Sequence, residues 1–329
     1  MGSVADITLP QSKRSEAFAS SMLVLACLCW GFFFSLAKSW QDTAKLTCPG
    51  GELVATLTLL GIRPVLALLV FALVRPQLFR QATGLEWLLG GMLGLINFGG
   101  NVLQVWGLSF TTPALSGFFT SMASLWVPVI ALIFLRRPSG AGTWIGLALG
   151  LIGLVVLCID AFGEARLGIG EMMTVAASII FAVFILTLDR VGKRVRGSHL
   201  TLGLIAAAGL PALPLTLAIS ARGDGVGTWF NWLSAMFSNP VVVRDVVLLT
   251  ILSTVLATFL MGTFQPRVSA SRAALIYLLE PVFAAILSVL VGYDQVTAHL
   301  IIGGCLILGG NALAELPSWL GRDSRPPLS

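Results

Sequence analysis

The chain has 329 residues, of which 57% are apolar and only 11% are charged, and its formal net charge is +5. Because an average soluble domain has roughly 25% charged residues, this composition excludes an ordinary soluble protein, and it is too hydrophobic for a disordered chain. The basic residues form small clusters between long apolar runs, with no basic face and no recognition module, so nucleic acid is excluded as a partner. The composition indicates an integral membrane protein that is embedded in the lipid bilayer.

Long intervals without charge predict where the chain crosses the bilayer, because a span needs about 20 apolar helical residues. Residues 17–37 and 87–135 contain no Asp, Glu, Lys or Arg. Two other apolar stretches are each interrupted by one central charge, Arg63 and Glu280. Counting both as spans predicts ten transmembrane helices, near residues 17–38, 53–74, 86–108, 113–135, 141–159, 169–189, 199–219, 244–265, 271–291 and 296–316.

The distribution of Lys and Arg favours cytoplasmic locations for both termini. With this orientation fourteen of the 20 basic residues lie in the cytoplasm, Arg63 lies in the membrane, and five lie outside, namely Lys38, Lys45, Arg166, Arg222 and Arg244. Cytoplasmic loops carry such an excess of basic residues. The sequence thus predicts a multi-pass protein of the cell inner (plasma) membrane, with a disordered cytoplasmic tail at residues 1–16 and a second cytoplasmic tail at residues 317–329.

The aromatic-rich residues 222–243 are predicted to be an interfacial amphipathic segment on the outer side of the membrane. Whether this segment is a helix or a loop stays open. The alternative is an additional span, which reverses the membrane orientation of all the following spans. Four basic residues then lie outside, namely Arg267, Arg272, Arg322 and Arg325.

The two halves of the chain share a pattern. Gly146 and Gly153 are seven residues apart, as are Gly303 and Gly310, and nearly the same offset aligns residues 112–116 with 268–272 and Ser124 with Glu280. We therefore predict an all-α integral membrane protein made of two five-helix repeats, residues 17–160 and 168–316. Because five is odd, the second repeat crosses the membrane in the opposite sense, as in many secondary transporters.

Several short motifs occur in an order and spacing typical of one family. They are Cys29-Trp30-Gly31-Phe32, Arg63 in the second span, residues 110–121 followed by Val127-Pro128, Leu279-Glu280-Pro281-Val282, and the glycines of residues 303–310. In these residues the chain resembles the drug/metabolite transporter superfamily, and within it the EamA-type carriers. The resemblance implies a carrier of small organic solutes, often an exporter of amino acids, metabolites or drugs.

The chain departs from the family pattern at two loops. An acidic residue that is common after the fourth span is missing at residues 135–138, and Gly292-Tyr293-Asp294 stands where Gly-Glu is usual. These departures concern local capping more than the fold.

Arg63 and Glu280 are the first candidates for a substrate site. A charge near the bilayer centre costs about 2.5 to 3.5 kcal/mol on insertion scales, so both side chains should face the bundle interior. Glu280 then accepts a coupled proton or binds a cationic group, and Arg63 binds a carboxylate. The alternative is that both residues form buried polar contacts that set helix packing. Pro281 removes a helical hydrogen bond beside Glu280.

Amides and aromatic rings complete the predicted substrate site. Asn97, Asn101 and Gln104 follow an i, i+4, i+7 spacing that places them on one helical stripe, where they bind solute or form interhelical hydrogen bonds. Trp30 and Tyr277, at mid-span, stack on an aromatic or cationic solute or pack in the core. His199 and His299 are predicted to be surface residues at span ends.

The leading hypothesis is a secondary transporter that moves a small organic solute, in the export direction, by alternating access. No GxxxxGK[ST] sequence occurs, so the energy must come from a gradient, with protons as a candidate coupling ion. No cofactor or metal is expected. A channel or a non-transporting scaffold is the alternative, and an intramembrane enzyme is disfavoured because HExxH and GxSxG are absent. The substrate, the direction, the coupling ion and the formation of a homodimer stay open.

Overall fold

The computed structural model describes residues 13–44, 47–136, 140–157, 159, 168–291 and 296–319, and these residues form helices and short connections without a strand. The first repeat contains α1 (Lys13–Gly31), α2 (Phe33–Ala44), α3 (Gly51–Val74), α4 (Pro76–Gln81), α5 (Gly84–Gly107), α6 (Pro113–Ser121), α7 (Ala123–Leu135) and α8 (Ala141–Leu157). The second repeat contains α9 (Ile169–Val191), α10 (Gly197–Ala207), α11 (Ala212–Arg222), α12 (Val226–Phe237), α13 (Pro240–Leu248), a π-helical stretch (Leu249–Ala257), α14 (Thr258–Phe264), a 3-10 turn (Gln265–Arg267), α15 (Ala270–Tyr277), α16 (Glu280–Val291) and α17 (Ala298–Trp319).

Each predicted span overlaps a helix. Eight helical stretches among the described residues are long and apolar enough to cross a membrane. The fifth and tenth predicted spans correspond to two shorter apolar helices, Ala141–Leu157 and Ala298–Gly310, the latter forming most of α17. The all-helical fold is confirmed, and the count of ten crossings stays a prediction.

The helix ends differ from the predicted tails. Residues 1–12 and 320–329 lie outside the described residues, whereas residues 13–16, assigned to a disordered tail, form the first turn of α1. A carboxylate oxygen of Glu16 accepts a hydrogen bond from Nη1 of Arg272 at 2.9 Å. This ion pair ties the beginning of α1 to α15 and explains why the helix starts earlier than the apolar run.

Several predicted spans are interrupted near their centres. The first breaks at Phe32, the fourth at Met122, the seventh at residues 208–211 and the ninth at residues 278–279, while the eighth widens into the π-helical stretch. Pro281 cannot donate a backbone hydrogen bond, which accounts for the position of the break in the ninth span. Lipid offers no partner for the freed backbone groups, so such breaks are tolerated only inside the protein.

The helix contacts come in matching pairs from the two repeats. In one set α1 packs against the π-helical stretch, α14 and α16, and in the other α9 packs against α5 and α7. The first span of the first repeat thus contacts the third span of the second repeat, and the first span of the second repeat contacts the third span of the first repeat in the same way. The two repeats are arranged around a shared centre to which both contribute equivalent helices.

The predicted interfacial segment contains a helix, α12. Trp229 and Trp232 are buried, and their indole N–H groups donate to Oγ1 of Thr58 at 3.0 Å and to Oγ1 of Thr47 at 3.1 Å. Phe230, on the other face, is exposed. Hydrogen-bonded tryptophans therefore anchor α12 to the beginning of α3.

Glycines allow α8 and α17 to approach closely. A Cβ atom added to Gly303 would lie 2.6 Å from the carbonyl oxygen of Gly153, and one added to Gly310 would lie 2.6 Å from the carbonyl oxygen of Gly146. Small residues at such positions let two membrane helices pack backbone to backbone. The last helices of the two repeats are joined by this glycine seam within one chain.

We predict that Gly303→Ala destabilises the folded protein by about 1 to 3 kcal/mol, since an added methyl group forces the two backbones apart. The change is measured as the loss of monodisperse protein on heating in detergent. Gly304→Ala is the matched control, because a Cβ atom there meets only Val282 Cγ1 at 3.8 Å. If the two variants lose monodisperse protein at the same temperature, the result contradicts close packing of α8 and α17 at Gly303.

Candidate functional site

One cavity lies at the centre of the bundle, and all seven residues predicted as the substrate site line it: Trp30, Arg63, Asn97, Asn101, Gln104, Tyr277 and Glu280. Its volume is about 160 Å³, whereas a single water molecule needs about 10 to 15 Å³ of such space. The cavity therefore accommodates a molecule of many atoms.

The first four helical spans of each repeat form the cavity wall. The lining residues lie near the middle of these stretches, for example Leu60 on α3, Phe181 on α9 and Leu204 on α10. None of the described lining residues belongs to α8 or α17. The cavity thus sits between the repeats, at the depth where secondary transporters bind solutes.

Arg63 reaches across the cavity wall from α3 to the π-helical stretch. Its Nε donates to Oγ1 of Thr254 at 3.0 Å, its Nη2 donates to Oγ of Ser253 at 3.1 Å, and its guanidinium carbon lies 5.3 Å from the centre of the Phe33 ring. No carboxylate of the described residues lies within 4.0 Å of this guanidinium. Neutral hydroxyls hold the group in place without compensating its charge.

The π-helical stretch presents these hydroxyls. Thr254 and Thr258 each donate a side-chain hydrogen bond to the carbonyl five residues earlier, at 3.3 and 3.2 Å. π-Helical geometry is rare and, where it occurs, is frequently found at functional sites. Sequence reasoning missed Ser253 and Thr254, because a π turn has no sequence signature and both residue types are common in membrane helices.

Glu280 begins α16, directly after the break in the ninth span. A carboxylate at the first turn of a helix is favoured by the helix dipole. The side chain is half-buried and lines the cavity, and within the described part of the chain its oxygens accept no hydrogen bond and form no ion pair. The cavity wall therefore contains one guanidinium and one carboxyl group, and among the described residues these two groups do not pair with each other.

The three amides on α5 take part in two kinds of hydrogen bond. Asn101 Nδ2 donates to the backbone oxygen of Asn97 at 2.9 Å and to its Oδ1 at 2.5 Å, within one helix. Gln104 Nε2 donates to Oγ1 of Thr120 at 3.0 Å and so joins α5 to α6. The interhelical contact predicted as the alternative is present at Gln104, and all three side chains still face the cavity.

Trp30 and Tyr277 form an aromatic pair on the cavity wall. Their ring centroids are 5.5 Å apart with an interplanar angle of 71°, an edge-to-face arrangement. The neighbouring Gly31 allows α1 to approach α16 closely, because a Cβ atom there would lie 3.0 Å from Cβ of Phe283. The Trp-Gly pair of the first span thus places an indole in the cavity and a bare backbone against α16.

His199 differs from its prediction as a surface residue. It is buried, and its Nδ1 lies 3.2 Å from Oγ of Ser198. The reason is the tight packing of α10 on α5, where a Cβ atom on Gly203 would lie 2.7 Å from the carbonyl oxygen of Trp87. His199 does not line the cavity.

Comparison with known proteins finds a relative named as a transporter and a solved structure with the same fold. An uncharacterized transporter of Archaeoglobus fulgidus is 23% identical over 291 residues, which cover 88% of this chain and 83% of the relative. A crystal structure of another protein matches with a TM-score of 0.68 at 21% identity, covering 93% of this chain and 99% of the other, and shows the shared fold.

The model of the EamA-like transporter family matches twice, at residues 17–159 and 168–315. The resemblance inferred from the motifs is thereby confirmed. The chain is a multi-pass membrane protein of two repeats, and it belongs to the EamA-like transporter family.

Proposed function

We propose that this protein is a secondary transporter that exports a small organic solute across the cytoplasmic membrane by alternating access. The observation that carries the proposal is the central cavity between the repeats, where Arg63 and Glu280 have no partner of opposite charge among the residues that the structure describes. We further propose that ten spans form two inverted repeats with both termini in the cytoplasm.

The two charges define the class of solute. Burying an isolated charge is costly, and a bound group of opposite charge offsets part of that cost. A solute with an amino group at Glu280 and a carboxylate at Arg63 satisfies both residues at once. The edge-to-face pair of Trp30 and Tyr277 supplies an apolar wall for the remainder of the molecule. A small zwitterion with an apolar side chain, such as an aliphatic amino acid, fits this description.

Alternating access is supported by the matched contacts of the repeats. Rocking of one repeat against the other exchanges the two sets of contacts while the central site stays in place. The breaks at Met122 and at residues 278–279 border the cavity, at Ser124 and Glu280 respectively. A short helix ends or begins at each of them, so the halves of a span are free to tilt separately.

Glu280 also provides a route for energy coupling. A proton and the amino group of a solute compete for the same carboxylate, so the binding of one favours the release of the other. A proton that moves inward on Glu280 then drives the solute outward. Arg63, which carries its charge at every physiological pH, plays no part in this exchange.

We expect purified protein in proteoliposomes to take up L-leucine saturably and to show counterflow. An acidic lumen should stimulate uptake, because protons leave as solute enters. Tracer flux is measured with and without the gradient over a panel of amino acids, nucleosides and cationic drugs. If the folded protein transports no solute of the panel, the result favours a non-transporting scaffold. Flux that neither saturates nor shows counterflow indicates a channel.

Substitution of each charge should impair recognition of one end of the solute. Glu280→Gln is expected to abolish the stimulation of transport by the proton gradient. Arg63→Ala is expected to weaken the apparent affinity for L-leucine by about 10- to 100-fold, since a hydrogen bond to a charged group contributes about 1.5 to 3 kcal/mol. Competition by 3-methylbutylamine, which lacks the carboxylate, should survive Arg63→Ala. Competition by 4-methylpentanoate, which lacks the amino group, should survive Glu280→Gln.

Two substitutions outside the cavity serve as controls. Glu52→Gln also removes a carboxylate from the first turn of a helix, and Arg75→Ala removes an exposed guanidinium at the end of α3. Both variants should transport at the unaltered rate. Normal transport and gradient dependence in correctly inserted Glu280→Gln and Arg63→Ala proteins contradict the assigned roles.

A further inference from the structure

Gln265 lies just behind the cavity, in the 3-10 turn that follows α14. It is fully buried, and it is not among the residues that line the cavity. Two cavity residues contact it, Tyr277 at the end of α15 and Ile185 on α9. The amide therefore connects three spans at the edge of the site.

Both ends of this amide are used. Its Oε1 accepts a hydrogen bond from the Tyr277 hydroxyl at 2.7 Å, and its Nε2 donates to the carbonyl oxygen of Ile185 at 3.0 Å. An amide held at both ends cannot rotate without losing a buried hydrogen bond. The Tyr277 hydroxyl thus has a fixed acceptor, which restricts the tilt of its ring.

The position of the Tyr277 ring matters because of what adjoins it. One edge contact fixes it against Trp30. In the chain, Tyr277 is the last residue before the break in the ninth span, and Glu280 follows at the start of α16. A hydrogen bond that orients Tyr277 therefore also defines the aromatic wall next to the carboxyl group of Glu280.

We propose that Gln265 is a positioning residue that sets the affinity of the transport site by holding the Tyr277 ring edge-on to Trp30. The inference rests on the proposed function, because the aromatic wall has a solute to contact only if the cavity is the transport site. A wall that is already in place binds solute without paying for the ordering of its side chains.

Gln41 provides a matched control for the packing effect of removing a buried amide. It is also fully buried, and its Nε2 donates to Oγ1 of Thr56 at 2.7 Å and to the carbonyl oxygen of Val105 at 3.1 Å. Neither of these partners lines the cavity. Replacement of Gln41 by Met removes a comparable interhelical bridge and leaves Tyr277 untouched.

The chain contains only two tyrosines, Tyr277 and Tyr293, so the ring can be observed directly. In a Tyr293→Phe background, 3-fluorotyrosine gives ¹⁹F resonances from position 277 alone. Gln265→Met should shift or broaden this signal, and Gln41→Met should not. Gln265→Glu has the same shape and retains an oxygen that accepts from the Tyr277 hydroxyl, so the signal should stay near its original position. If Gln265→Met does not fold, Gln265→Glu is the variant that is measured instead.

Transport kinetics of L-leucine supply the functional measurement. Gln265→Met should raise KM by about two- to tenfold, the equivalent of one neutral hydrogen bond, while Vmax changes by less than about twofold. Tyr277→Phe should raise KM similarly, and the double variant should be no worse than either single variant, because both remove the same bond.

Three results would overturn the positioning role. The first is a ¹⁹F signal that does not move in Gln265→Met. The others are a lower Vmax with an unchanged KM in Gln265→Met, and an equal rise of KM in Gln41→Met. Failure of the proposed function looks different. In that case the wild-type protein transports no solute of the panel, no solute shifts the Tyr277 signal, and the inference falls with the function although Gln265→Met still moves the resonance.

Discussion

A peptide group in the hydrocarbon region must find its hydrogen-bond partner within the protein, and this requirement decides where the spans can be interrupted. The breaks at Phe32, Met122 and residues 278–279, together with the π-helical stretch, lie in the bundle interior. At Met122 and at residues 278–279 the backbone N–H groups donate to carbonyls three residues earlier instead of four. These two breaks border the central cavity, which Ser124 and Glu280 line.

The charges in that cavity are arranged differently from those at the ends of the bundle. At the beginning of α5, Glu86 accepts hydrogen bonds from Arg196 at 2.8 and 3.0 Å, and at the beginning of α1, Glu16 pairs with Arg272. In the cavity, hydroxyls rather than carboxylates hold Arg63. Ion pairs at the ends of the bundle connect helices, whereas Arg63 in the centre has no carboxylate partner among the described residues and, in the proposed function, binds the solute.

Much of this organisation was predictable because membrane insertion leaves a strong signature. The two interrupted apolar stretches single out Arg63 and Glu280, and helical spacing places the α5 amides on one stripe; all of them line the same cavity. Their role in binding stays a prediction. The breaks within spans were not predicted, apart from the effect of Pro281, because apolar periodicity is nearly unchanged when a helix is interrupted for one or two residues.

Other features depended on contacts between distant parts of the chain. The buried position of His199 results from the glycine-mediated approach of α10 to α5, and the involvement of Gln265 results from the meeting of three spans. A single Gln in an apolar run gives no indication of its partners. The helical nature of α12 likewise required Thr47 and Thr58 to be positioned as acceptors for its tryptophans.

The glycine seam between α8 and α17 separates assembly from recognition. The two helices fasten the repeats to each other along one side, yet none of their described residues reaches the cavity. Substitutions in the cavity wall therefore leave the join between the halves intact. Under the proposed function, the solute specificity of such a scaffold can change through a few central side chains, while backbone contacts outside the cavity keep the two halves joined.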